Sequence, residues 1–268
     1  MKRKAHVSDT FSSLKILKIF LILLGIIIAF SLIFRAISMI RESSFDGSNP
    51  YILAFSSSNT LDFVVASPHE QRLSRLIIKN VKNSVKTIEE LGLPWDTFVR
   101  VDKPLSEDNG ASLLFSNFKG LHQAGNHLTA YDFYRLGFAI KELSSKPVNK
   151  ATIIYSEKEM VNDEIISKIF LDKTLLSEGK TITIVNASGV SGIGVKLEEV
   201  IAHLGGTVIA VENGEKILAT STINYSGEES YTLKRLSKLL DLTPKIHEGK
   251  GLSDILITLG KDKSSQLY

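Results

Sequence analysis

Apolar side chains recur along this chain with different periods, and each period predicts a different kind of element. Residues 19–34 carry no charge, and the apolar character continues to Ile40 with Arg35 as the one interruption. A helix needs about 20 apolar residues to cross a bilayer core, and Lys18 and Arg35 can extend their charged ends to either interface. Residues 16–40 therefore predict a transmembrane helix. The alternative is a cleaved signal peptide with a small-x-small site at Ala36-Ile-Ser38. The apolar run exceeds the usual signal core of about 7–15 residues, so an uncleaved anchor is expected.

Residues 41–50 are rich in Ser, Gly, Asn and Asp and read as a linker. Beyond them, residues 51–55, 61–67 and 73–78 read as strands of a meander. Residues 80–91 place Val81, Val85, Ile88 and Leu91 on one helical stripe, with Gly92 past its end. Residues 98–101 and 151–155 read as further strands. Thr129 is placed to cap a helix over 131–143, with Phe133, Leu136, Ile140 and Leu143 turned inward. Residues 160–176 are amphipathic and predict one long helix.

From Thr181 the pattern becomes strand, glycine loop, helix. Thr181-Ile-Thr-Ile-Val185 is dominated by β-branched residues, which suit a pleated surface. Ile193, Leu197, Val200, Ile201 and Leu204 then fall on one helical face, and Gly205-Gly206 ends that helix. Strands are expected at 207–212 and 217–225, joined through a hairpin turn at Asn213-Gly214. A helix over 228–240 and a strand over 254–260 complete the order β-α-β-β-α-β, the split βαβ arrangement. The expected fold class is α+β. It comprises a basic tail (1–15), a single N-terminal transmembrane helix (16–40), a linker (41–50) and a reduced α/β middle domain (51–177). A C-terminal βαββαβ domain (178–263) and a short tail (264–268) follow.

Composition adds exclusions. The 268 residues are 43% hydrophobic and 23% charged, ordinary for a globular chain. A net charge of +3 is too small to argue for a nucleic-acid partner, and none is expected. Lys2, Arg3, Lys4, Lys15 and Lys18 precede the apolar run, whereas Arg35 and Arg41 follow it closely. That asymmetry predicts a cytoplasmic N-terminus in the cell membrane and an extracytoplasmic bulk. The absence of cysteine removes disulfides, thiolate metal sites and cysteine nucleophiles. His6, His69, His122, His127, His203 and His247 are scattered, without metal-ligand spacing. No cofactor or metal is expected. Arg72, Arg75, Arg100 and Arg135 either line an anion site or belong to solvated faces, the second being the expectation.

Gly189, Gly192 and Gly194 follow G-x-x-G-x-G, not the dinucleotide pattern G-x-G-x-x-G. The elements after Thr181 are also too few for a doubly wound sheet. A tight turn serving topology is expected. The candidate binding residues are Asn186, Ser188, Gly189, Ser191 and Gly192. Asn186 and Ser188 have the groups to exchange hydrogen bonds with a sugar. The competing and preferred role is to cap the helix that begins near Ser191.

Several stretches carry a resemblance. Ile-Val-Asn-Ala-Ser-Gly-Val-Ser-Gly192, Tyr225-Ser-Gly-Glu and Asp254-Ile-Leu-Ile-Thr-Leu-Gly-Lys-Asp262 resemble the LytR C-terminal domain. Upstream, Asn59-Thr-Leu-Asp-Phe-Val-Val-Ala-Ser-Pro68, Arg72-Leu-Ser-Arg-Leu-Ile-Ile78 and Gly92-Leu-Pro-Trp-Asp-Thr-Phe-Val-Arg-Val-Asp102 look like parts of the LytR-CpsA-Psr catalytic domain. In that family a metal-binding Asp falls on Asn59, and a Pro-Arg-Asp falls on Lys79-Asn80-Val81. Asn and Val supply neither anionic ligands for magnesium nor charge against a pyrophosphate. The resemblance thus implies an envelope location and a catalytically silent relative, and it defines no ligand. The expected function is that of a membrane-anchored, non-enzymatic envelope protein that binds peptidoglycan, an envelope glycopolymer or a partner envelope protein. The alternative is a divergent phosphotransferase attaching lipid-linked glycopolymer to the wall. Asp62 does not replace the missing acid, because an odd separation from Asn59 turns it to the other side of a strand.

Overall fold

The computed structural model describes residues 8–105, 128–156, 163–247 and 251–263. His6, His122, His127, the basic residues Lys2, Arg3 and Lys4, and the tail 264–268 lie outside them. Helix α1 spans Ser8–Arg41. Its segment Leu17–Arg41 has a mean hydropathy of 2.8, faces outward, and is long and apolar enough to cross a membrane.

The body is mixed α+β, built on two five-stranded sheets. In the first, β1 (Tyr51–Ser56), β2 (Thr60–Ser67) and β3 (Arg72–Lys79) form the antiparallel meander. Strand β4 (Thr97–Arg100) runs parallel to β1 at one edge, and β5 (Asn149–Ile154) runs parallel to β3 at the other. Helix α2 (Ser84–Glu90) lies between β3 and β4, and α3 (Ala130–Leu143) precedes β5. The α3 N-terminus is held by a reciprocal capping box between Thr129 and Asp132. Both faces of the meander are buried. Leu53, Phe55, Val64, Ala66 and Leu73 pack against Phe133, Leu136, Ile140 and Leu143 of α3.

The opposite face, with Ile52, Leu61, Phe63, Leu76 and Ile78, packs into an interior that continues into the second sheet. The intervening layer includes α4 (Asp163–Phe170) and α6 (Ile193–His203), with α5 (Lys173–Glu178) and α7 (Tyr231–Leu239) beside them. The second sheet has the order β7 (Thr207–Asn213), β6 (Thr181–Asn186), β10 (Ile255–Leu259), β8 (Thr222–Tyr225), β9 (Pro244–Ile246). Gly92 sits where α2 meets α6. A Cβ there would lie 2.8 Å from Glu199 Cβ, and the Gly92 carbonyl accepts a 2.7 Å hydrogen bond from His203 Nδ1.

Four local expectations change. The helix expected over 160–176 is broken, because Asp172 leaves the helical path and caps α5 by accepting from the Thr174 and Leu175 amides. Asn213-Gly214 makes no hairpin: the Gly214 amide donates to the Asn186 carbonyl at 2.8 Å, keeping the chain beside β6. The chain then crosses the end of the sheet before β8 pairs antiparallel with β10. Strands β6 and β7 are therefore direct neighbours, and no strand splits the βαβ unit. The stretch 41–50 is not loose: Phe45 is buried and Asp132 accepts from Ser43 Oγ and from the Ser44 and Phe45 amides.

A buried ion pair joins the layers. Arg235 on α7 grips both carboxylate oxygens of Asp96 just before β4, while the Ile52 amide donates to Asp96 Oδ2 at 2.8 Å. Burial pushes the Asp96 carboxyl up, but the Arg235 and Lys238 charges and these hydrogen bonds hold it below the ordinary range. For Asp132 burial is likewise outweighed, by hydrogen bonds from Ser43, Phe45 and Thr129. A depressed carboxyl stabilises the fold above its unfolded pKa of about 4, and that stability is lost as pH falls through the lower folded value. Urea midpoints should accordingly fall between neutral pH and pH of about 3. Asp96→Ala leaves Arg235 buried without its partner and should cost about 3–5 kcal/mol. Probes on either sheet should report the same shifted midpoint, since the sheets share one interior.

Candidate functional site

The glycine loop lies where β6 gives way to α6, at the carboxyl end of the parallel strands β7, β6 and β10. Its polar groups face one another. Asn186 Nδ2 donates to the Val190 carbonyl at 2.8 Å, and Asn186 Oδ1 accepts from Ser188 Oγ at 2.7 Å. Ser188 Oγ in turn accepts from the Val190 amide at 3.0 Å. Asn186 and Ser188 thus brace the loop, as short polar side chains do in turns. They do not cap α6, whose N-cap is Gly192 with no side-chain cap bond. Ser188 is buried, whereas Gly189, Ser191 and Gly192 reach the surface.

The end of the sheet is knitted shut around this loop. The Leu218 amide donates to the Ala187 carbonyl, and the Lys261 amide to the Leu218 carbonyl. Ser221 donates through Oγ and its amide to Asp262, and accepts from the Gly260 amide. This packing leaves Val190, Ile217 and Leu218 as an exposed apolar rim beside exposed Ser191 and Lys216. Sequence periodicity missed the rim, because Ile217 and Leu218 read there as the start of a strand.

At the upstream positions, the Val81 amide donates to the Asn59 carbonyl at 3.0 Å, so these residues are neighbours in space. Asn59 is exposed and Val81 is buried. Asp62 is buried and pairs with Arg75 through contacts of 2.5–3.2 Å. Burial raises the Asp62 carboxyl, against the pull of Arg75. Among the described residues, no three His, Asp or Glu side chains gather as metal ligands would. The arginines do not converge on an anion either. Arg72 donates to the Lys168 and Leu171 carbonyls, Arg135 to the Phe45 and Asp46 carbonyls, and Arg100 is exposed. Arg72, Arg75 and Arg135 are spent on structure, not on the solvated faces expected of them.

No protein-family model matches the chain, and no curated protein matches it. Among solved structures, it is similar to the Lin1025 protein from Listeria innocua, determined by X-ray crystallography. The identity is 13%, over 42% of this chain and 86% of that one, with a TM-score of 0.28.

Gly189 has φ +82°, and a Cβ there would lie 2.9 Å from the movable Ile217 Cδ1, so the backbone conformation is the main constraint. Gly189→Val should cost about 1 kcal/mol or more, visible as a lower thermal midpoint without ligand. Titration of the wild-type protein with ATP or NAD should show no binding. An unchanged midpoint together with micromolar nucleotide binding would overturn the turn-forming role.

Proposed function

We propose that this is a single-pass, non-enzymatic envelope protein, with a cytoplasmic N-terminus and its two-sheet body outside the membrane. In this reading it belongs with LytR C-terminal-like proteins and binds an envelope glycopolymer such as peptidoglycan through the carboxyl end of the second sheet. The observation that carries the binding reading is the rim of Val190, Ile217 and Leu218 beside Ser191 and Gly192. Exposed apolar groups beside an exposed hydroxyl suit a ligand with both C–H and O–H faces. The first turn of α6 has no side-chain cap, and the first amides of a helix lack intrahelical partners. Asn59 beside Val81 supports the non-enzymatic part, since neither of these two side chains is a carboxylate that could hold magnesium.

The test is a pull-down of the purified protein with cell-wall sacculi, under conditions that retain an established wall binder. Retention is expected for the wild type. A variant carrying Ile217→Asp and Leu218→Asp should lose most of it at an unchanged thermal midpoint. No retention of the wild type would remove wall binding, and crosslinking in cells would then show whether a protein partner takes its place. Magnesium-dependent hydrolysis of a polyprenyl pyrophosphate would overturn the non-enzymatic reading.

A further inference from the structure

Helix α3 has an outward stripe that its packing does not explain. Phe133, Leu136, Ile140 and Leu143 account for its inner face. On the other side Tyr131, Tyr134 and Phe138 are 36%, 59% and 54% exposed. Spaced three and four residues apart, they share one stripe, which continues to exposed Lys141. The rings of Tyr134 and Phe138 meet edge to face with centroids 4.6 Å apart. Tyrosine and phenylalanine beside a lysine make the composition that settles at a membrane–water boundary.

The position of the stripe supplies the occupant. Helix α1 ends at Arg41, and Phe45 is buried four residues later. Four extended residues reach at most about 14 Å. That short strap is fastened to α3: Asp132 takes the Ser44 and Phe45 amides, and Arg135 donates to the Phe45 and Asp46 carbonyls. Lys238 of α7 holds the Ser44 carbonyl from the other side. The last turn of α1 touches α3, where Ser38 and Met39 are half-buried although the rest of the apolar helix is exposed. A cleft of about 380 Å³, lined by Phe45, Gly47, Pro68, Tyr134 and Phe138, opens beside the stripe. The end of α1 and the strap after it are thus both held against the helix that carries the aromatic stripe.

We infer that the aromatic stripe of α3 lies in the headgroup layer of the bilayer that α1 crosses, so that the body rests on the membrane in one fixed orientation. The interface beyond the hydrocarbon core is several Å deep on each side, comparable with the reach of the strap. Glu42, Asp46 and Glu142 offset Arg41 and Lys141 around this face. The docking therefore needs the aromatic interface and not anionic lipid. The inference rests on α1 being the anchor.

The chain has no cysteine, so one introduced thiol gives one defined label. The full chain is reconstituted into phosphatidylcholine vesicles with an environment-sensitive fluorophore on Phe138→Cys, Ile209→Cys or Ile27→Cys. Ile209 lies on the edge strand β7 of the second sheet, on the far side of the helix layer from α3. The label at 138 should be quenched several-fold more than that at 209 by lipid spin-labelled near its headgroup, and should resist aqueous iodide. Equal behaviour at 138 and 209 would overturn the docking. Protection of 138 from both quenchers would also overturn it, because another protein surface would then cover the stripe. The label at 27 must be quenched by lipid spin-labelled near its chain ends. If it is not, the anchor itself fails. If it is, and 138 remains water-exposed, only the docking fails.

Discussion

Asp96 and Arg235 meet with side-chain exposures of only 1% and 4%, and the relation between the two sheets depends on that meeting. Each charge alone would be costly in this interior, so each requires the other in place. An apolar contact tolerates sliding; a two-pronged guanidinium–carboxylate pair fixes direction as well as distance. The pair also draws in neighbours. Tyr231 donates to Asp172, which lies 4.0 Å from Arg235 Nε, and Glu178 accepts from the Tyr231 and Thr232 amides. The breaks between α4 and α5 and before α7 are consequently set by one polar cluster at the seam between the sheets.

The same device recurs at the base of the body. Asp132 serves its own helix as half of a capping box and serves the strap after α1 as an acceptor. Lys238 links that strap to the seam, one helical turn beyond Arg235, and lies 4.6 Å over the Tyr51 ring. The strap, α3 and α7 are thereby coupled through hydrogen bonds to backbone carbonyls and amides. Such groups demand partners once they leave water, so they hold the strap more firmly than its composition suggests.

Close packing accounts for the glycine loop as well. A Cβ on Gly214 would lie 2.8 Å from Ala187 Cβ, and one on Gly260 would lie 2.5 Å from the Thr220 backbone. Glycines at this end of the sheet let three chain segments approach, and the surface they leave is the apolar rim. The rim is a consequence of how the 214–220 crossing is seated, so the glycine pattern by itself did not point to it.

Local pattern sufficed for much of the fold. The charge-free run gave the apolar part of α1, short apolar runs between turn residues gave β1, β2 and β3, the β-branched run gave β6, and Thr129 marked the start of α3. Each of these follows from forces acting within a few residues: apolar length, backbone preference and capping. The linker composition of 41–50, the Asn213-Gly214 pair and the amphipathic run before Thr181 misled for a common reason. Their outcomes depend on partners far along the chain: Asp132 for the strap, Asn186 for Gly214, and Tyr231 for Asp172. The candidate loop residues were legible as a turn, but their mutual hydrogen bonds and the neighbouring rim were not. The amino-acid sequence by itself determined the apolar length of α1, the meander strands, β6 and the apolar faces of the helices that begin near 130 and 193. Only the tertiary structure decided which sheets share an interior, where buried charges find partners, and which apolar groups remain outside, because those are settled by contacts between residues distant in sequence.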